Sequence, residues 1–506
     1  MHKLLTFILF SFLVLSGCKA QPASPESIPP QVETLEEIVI LSEWNERDVF
    51  KSGLIPSQQH LPDEMPDATI YHIELNIADD LVHINGHQEV RYTNQEDVAL
   101  NEIYFHLMPN YLGDEMLISQ VSIDGASAEY VHEKEDTVMR VSLASPLQIG
   151  ESIIVKIDFL TVVPTQLESN YGILAYTEDV LALAHAYPMV AVYDDEGWNI
   201  DIPSEQGDVT YLDVSFYIVQ VNAPKDLVLV ASGNEITHQS AGDRKIVTFA
   251  AGPARDFYLA ASEDYVLTSQ KFGEYTINSY APKNLAEGSQ FAIDVAAASI
   301  EFFSEAYAPY PYTEFDIVAT PTYALGIEYP GMTAINVDLY DLEANLYGTT
   351  AGVYLESTVA HEVGHQWFYN LVGNDQLDEP WLDESLTQYV TWLYYVNQYG
   401  ENSAAGYADA LDSRWERIGH ETIPLGLPVS AYVDGQYSAI IYGRGAFFFE
   451  ALANKIGQKA FDAFMMEYTK SHQWKTASTE SFRESAEKAC DCNLEVLFKD
   501  WVYIIE

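Results

Sequence analysis

Two textures of hydrophobic patterning divide the chain. From Ala68 to Tyr265, apolar and polar residues alternate in short runs such as Tyr71-His72-Ile73-Glu74-Leu75-Asn76-Ile77 and Leu212-Asp213-Val214-Ser215-Phe216-Tyr217-Ile218. A period of two sends successive side chains to opposite faces of a strand, and Asp124-Gly125, Gly150 and Ser232-Gly233-Asn234 supply turns between runs. Residues 68–265 therefore read as a β-rich domain of antiparallel, sandwich-like sheets. After Asn284 the spacing becomes helical, beginning with Phe291, Val295, Ile300, Phe302 and Phe303. Residues 266–506 read as a mainly helical domain that keeps one strand, Phe315–Ala319, ahead of a loop holding Glu328. Within it, the apolar stretch around Val359, Ala360, Val363, Trp367 and Phe368 predicts one helix. A second, from Trp381 to Tyr399, packs antiparallel to it after a turn at Val372-Gly373-Asn374-Asp375.

Candidate chemistry sits on those two helices. The run His361-Glu362-Val363-Gly364-His365 places two imidazoles four residues apart, about 40° from each other on one helix face, so both reach one ion. Structural zinc sites close all four positions with Cys or His, whereas catalytic ones take three protein ligands, of which His, His and Glu is one set. Glu384, nineteen residues after His365, is the third candidate ligand for a single zinc ion. Glu362 is left free as a base toward water. Two His and a Glu within an apolar helix are costly to bury without a partner, and one cation satisfies all three.

These residues carry a resemblance. His361-Glu362-Val363-Gly364-His365-Gln366-Trp367-Phe368, with Trp381-Leu382-Asp383-Glu384, resembles the zinc aminopeptidases of the aminopeptidase N and leukotriene hydrolase type, within the gluzincin metallopeptidases. The likeness runs from about Tyr71 onward and implies that residues 266–506 are a thermolysin-like catalytic domain. It further implies that Glu328, with Gly326 in Gly326-Ile327-Glu328-Tyr329, grips the substrate's free α-amine while its strand pairs with the peptide backbone. Tyr442 matches the tyrosine that donates to the oxyanion of the tetrahedral intermediate. The chain departs from the family's Gly-x-Met-Glu-Asn motif at Leu325, Ile327 and Tyr329. A second amine-binding residue is sought in Tyr187-Pro188-Met189-Val190 or Asp194-Asp195-Glu196-Gly197-Trp198, without a match. The sequence ends about sixty residues beyond Tyr442, which predicts a site less enclosed than in many relatives.

The N-terminal residues change the compartment. One early lysine, an apolar run from Leu4 to Leu15 and then Ser16-Gly17-Cys18 read as a signal peptide over 1–17, too short for a comfortable membrane span. Its end resembles a bacterial lipoprotein box, which implies lipidation at Cys18; an ordinary cleaved leader is the alternative. A diacylglyceryl group brings two chains, enough for stable anchoring. Residues 18–67 read as a lipidated tether, rich in Pro, Ser, Gln and Glu, interrupted by an apolar docking arm at Ile38, Val39, Leu41, Trp44, Val49 and Phe50. The expected location is the extracytoplasmic side of a bacterial envelope membrane. Cys490 and Cys492 are read as a structural pair able to form a disulfide in an oxidising compartment.

Charge excludes one class of partner. Against 24 Lys and Arg stand 76 Asp and Glu, a formal net charge of −52, which repels nucleic-acid phosphates. His72, His83, His87 and His106 read as surface or satisfied strand histidines rather than a second metal site. The combined expectation is a zinc aminopeptidase acting on peptides with a free N-terminus. Two other readings stay open: a zinc endopeptidase or small-molecule hydrolase with an open site, and a non-catalytic peptide-binding envelope lipoprotein. Glu362 beside three metal ligands argues against the last, because a binder has no use for a base there.

Overall fold

A computed structural model describes residues 44, 46–111, 115–167 and 170–503. The leader, Cys18, Ile38, Val39 and Leu41 lie outside the described residues.

The alternating runs form strands as expected. In Thr69–Ile77, Ile73, Leu75 and Ile77 are buried while Glu74 is exposed and His72 and Asn76 lie half-buried. This strand lies in an eight-stranded sheet, beside Ser215–Pro224 on one side and His83–Thr93 on the other. Pairing with Ser215–Pro224 is parallel, which corrects the expectation of wholly antiparallel sheets. More than a hundred residues of chain separate the two strands in sequence, so no hairpin constrains their direction. Two four-stranded sheets, one containing Val180–Ala184 and Tyr258–Ser262, the other Leu100–His106 and Val138–Leu147, and a short two-stranded pair, Tyr193–Asp194 with Gly197–Trp198, accompany the eight-stranded sheet in the β-rich part. Side chains from the three larger sheets, among them Leu75, Phe105, Leu181, Val219 and Leu259, share one apolar core.

Tyr265 begins a different sheet. Its spatial order is Tyr265–Phe272, Tyr275–Pro282, Glu314–Thr320, Met332–Asn336 and, at the edge, Gly326–Tyr329. The helix Ala286–Ala306 packs on this sheet and on the helix Ala351–Gly364, and both contribute to a second core. Trp381 anchors that core against the rings of Phe448, Phe449, Phe482 and Phe498. Phe448 and Phe449 are fully buried.

The second metal helix starts later than predicted. Pro380–Leu382 form a tight 3-10 turn and the helix proper is Glu384–Tyr399. The expected turn at Val372-Gly373 is instead a short strand, paired in parallel with Lys475-Thr476. Arg255, from the β-rich part, is buried against this bridge and donates to the carbonyls of Asn370, Leu212 and Lys475 at 3.1, 3.1 and 2.8 Å. One guanidinium thereby ties the two halves together beside the metal helix.

The described portion of the arm packs on both halves. Trp44 stacks on His72, Phe50 meets Phe216, and the Ile55 amide donates to the Pro311 carbonyl at 3.0 Å. His83 and His87 pair with Asp80 and Asp158, and His106 is buried within its strand. Cys490 and Cys492 are joined by a disulfide. No helix among the described residues is long and apolar enough to cross a membrane.

Candidate active site

Leu355, Val359, Ala360 and Val363 recur on one stripe of the Ala351–Gly364 helix and bury it in the second core. His361, Glu362 and His365 line a cavity of about 780 Å³. The helix ends at His365. Glu384 opens the next helix, with Asp383 immediately before it, where unpaired amides favour negative charge.

Three atoms converge. His361 Nε2 lies 3.0 Å from His365 Nε2 and 3.1 Å from a Glu384 carboxylate oxygen, which stands 3.5 Å from His365 Nε2. Ligands at about 2.0–2.1 Å from a tetrahedral zinc ion stand about 3.3 Å apart, so the triangle matches one face of that tetrahedron. Burial, the larger influence, lowers His361 to about 4, against the raising effect of Glu384; the neutral imidazole is the form that binds metal. Burial opposes protonation of His365, but Glu328 and Asp383 outweigh it and raise its pKa well above the usual range. Burial raises Glu384 too, yet its contacts with His361 and His365 prevail and hold it below the usual carboxylate range. A positive charge is favoured where the three meet. The residues fit one zinc ion.

The supporting contacts are in place. His365 Nδ1 lies 2.6 Å from Asp383 Oδ1, whose other oxygen accepts from Gln376 at 2.6 Å. A carboxylate behind a ligand imidazole fixes its tautomer and raises its basicity. Tyr442 lies in a π turn, Ile440–Arg444, and its hydroxyl donates to the second Glu384 oxygen. The extra residue in such a turn redirects a side chain that a regular helix would place elsewhere.

Glu362 has one carboxylate oxygen buried without a hydrogen-bond partner. Burial, chiefly, and then Glu384 and Asp383 push it up to about 8, while His365 pulls it down. It lies flush against the edge strand Gly326–Tyr329. A Cβ on Gly326 would stand 2.6 Å from Glu362 Oε1 and 2.5 Å from Thr358 Cγ2. Gln366 fastens strand to helix end, accepting from the Gly331 amide and donating to the Tyr329 carbonyl, both at 2.9 Å. Glu328, on that strand, is buried with a carboxylate oxygen within 4.8 Å of those of Glu362 and of a His365 nitrogen. Burial first, then Asp208, Asp383 and Glu362, raise its pKa well above the usual range, against His365.

Comparison with known proteins agrees with this geometry. Residues 291–501 match the peptidase family M1 domain. This chain carries a peptidase family M1 domain. It is 27% identical over 297 residues to Aminopeptidase M1 of Arabidopsis thaliana, covering 56% of this chain and 33% of that protein. It is 24% identical over 412 residues to Aminopeptidase M1-B of Oryza sativa subsp. japonica, covering 76% and 45%. With Leukotriene A-4 hydrolase of Xenopus laevis it shares 25% over 407 residues, covering 76% and 64%. The chain thus spans less than half the length of the first two curated relatives. The solved M1 zinc metallopeptidase from Deinococcus radiodurans has the same fold, with a TM-score of 0.62 at 18% identity over 87% of this chain and 94% of that one. A variant of that protein was solved bound to a Tyr-Ser-Ala substrate.

The M1 domain holds His361, His365, Glu384, Glu362, Glu328, Gly326 and Tyr442, which the structure brings together around one cavity. Asp208 comes from outside it. No residue of 187–198 lines the cavity; Asp208 does instead, with a carboxylate oxygen within 4.8 Å of those of Glu328 and Asp383. Gly207, at φ +79°, turns the loop so that Asp208 arrives there, and its amide donates to the Tyr171 hydroxyl at 3.2 Å. Asp383 was visible only as a member of the quoted motif. Asp208, in an irregular segment, gave no sequence signal.

Proposed function

We propose that this chain is a zinc aminopeptidase that removes single N-terminal residues from peptides. The observation that carries the reading is the triangle of His361, His365 and Glu384 with an unpartnered Glu362 oxygen beside it and a buried acid, Glu328, on the edge strand of the same cavity. A zinc ion held by the three ligands supplies Lewis acidity toward water and a carbonyl. Glu362 takes the proton from the attacking water and passes it to the leaving amine nitrogen. Tyr442 donates its hydroxyl hydrogen to the carbonyl oxygen as negative charge develops, leaving Glu384 to do so. Glu328 and Asp208 hold the ammonium group by charge-assisted hydrogen bonds. The unpaired side of the Gly326–Tyr329 strand receives the peptide backbone as an added strand.

An amine anchor this close to the ligands leaves room for one residue before the scissile bond. The test is incubation with short peptides in free and N-acetylated forms, read by mass spectrometry with and without a zinc chelator. Loss of single residues from the free forms alone, stopped by chelation, is the expected result. Internal cuts in both forms would make it an endopeptidase.

Residues 1–17 and Cys18 support export and a lipid anchor at Cys18, with residues 18–67 as tether and arm and the enzyme on the outer side of a bacterial envelope membrane. Mass spectrometry of the mature N-terminus checks this: a diacylated Cys18, absent from Cys18→Ser, is expected.

A further inference from the structure

The cavity is lined by several acids and one base. Asp208, Glu328, Glu362 and Glu384 line it, and among the described residues a single Lys or Arg does so, Arg414. The helix Glu401–Glu416 presents Tyr407, Leu411 and Arg414 to the cavity, at intervals of four and three residues that place them on one face. The guanidinium carbon lies 5.6 Å from the centre of the Tyr442 ring, and that ring lies 6.3 Å from the ring of His361. Arg414 makes no ion pair or side-chain hydrogen bond among the described residues, in a chain with 76 acidic residues and 24 Lys and Arg. The contrast with Arg444 is plain. That guanidinium is buried, donates to the carbonyls of Ile423, Trp501 and Asp500, and lies over Trp501.

We propose that Arg414 binds the C-terminal carboxylate of short peptide substrates, making the enzyme selective for di- and tripeptides. The direction of the bound peptide rests on the aminopeptidase reading. Glu328 clusters with His365 and Glu362, whereas Arg414 lies over the Tyr442 ring, which neighbours His361. A peptide anchored by its amine at Glu328, with its first peptide bond over the three ligands, therefore runs on toward Tyr442 and Arg414. Extended chain advances about 3.3–3.6 Å per residue, so a carboxylate one or two residues past the bond meets the guanidinium. A guanidinium receives a carboxylate through two parallel N–H bonds. A longer peptide or an amide offers no charge there.

Three probes test this: Tyr-Ser-Ala, its C-terminal amide and its N-acetyl form. Wild-type protein is expected to cleave the free acid with kcat/KM roughly 10- to 100-fold above the amide, mainly through KM. In Arg414→Gln the ratio falls toward one through loss on the acid, and Arg414→Lys keeps part of the preference. Calorimetric binding of acid and amide to zinc-loaded Glu362→Gln, with and without Arg414→Gln, reads the same discrimination without turnover. Equal use of acid and amide by wild type overturns the proposal. So does an equal loss on both in Arg414→Gln, which would make Arg414 a support for the Tyr442 ring. Cleavage of the N-acetyl form in the presence of acid selectivity overturns the aminopeptidase reading and leaves a carboxylate site standing.

Discussion

Glu362 and Asp383 are both buried acids near the same imidazoles, yet they do different work. Glu362 lines the cavity and has an oxygen without a partner; Asp383 has both oxygens engaged, by His365 and Gln376. Glu362→Gln should therefore lower kcat by about 10²- to 10⁴-fold with little change in zinc affinity. Asp383→Asn should weaken zinc binding by about 10- to 100-fold, measured by competition with a chelating dye. A third buried acid, Asp316, is not among the residues lining the cavity. Burial, then Glu314, push it up to about 8, against an Asn278 hydrogen bond of 2.9 Å. A carboxyl raised in the folded state gives its full stability below the unfolded value near 4 and loses it as pH rises toward 8. Asp316→Asn removes that titration while still accepting from Asn278. Its unfolding free energy, from urea titration, should equal that of wild type near pH 4 and exceed it by on the order of a few kcal/mol at pH 8; an equal difference at both pH values contradicts the assignment. The metal set was legible because four residues on one helix fix two imidazoles by local geometry alone. Asp208 was not, because its approach to Glu328 depends on how two distant segments pack.

The edge strand and the metal helix work as one unit. Gly326 lets the strand lie against Glu362, and Gln366 staples the turn after the strand to the helix end. Gly326→Ala should force the two apart and lower kcat/KM by about 100-fold while leaving zinc stoichiometry unchanged, a split that metal analysis beside kinetics will detect. The strands of the β-rich part were legible from period-two burial, which is local. Their parallel pairing, like the bridge from Val372-Gly373 to Lys475-Thr476, joins segments distant in sequence and left no pattern to read. The late start of the Glu384 helix has a local cause. Pro380 begins a 3-10 turn, and the apolar period of Trp381 and Leu382 runs through the boundary without marking it.

At the scale of the molecule, two apolar cores organise the fold, and the first takes in Val318, Tyr329, Met332 and Ala334 from the sheet of the second half. Arg255 reaches from the β-rich part to the loop that follows the metal helix, and Asp208 enters the site from the same part. The M1 domain supplies the zinc ligands and the proposed base; the β-rich part supplies one proposed amine contact and fixes the loop beside them. The charge of −52 disfavours contact with phosphates and does not distinguish the cavity, whose acids are held in place by burial and neighbours. On the proposed function, one zinc ion on His361, His365 and Glu384 drives hydrolysis at a free N-terminus. Its most direct test is zinc titrated back into chelated protein while tyrosine release from Tyr-Ser-Ala is followed, with N-acetyl-Tyr-Ser-Ala in parallel. Activity should rise linearly and break at one zinc per chain, with the acetylated peptide intact. Activity that survives chelation, a break at two zinc ions, or cleavage of the acetylated peptide would contradict the account.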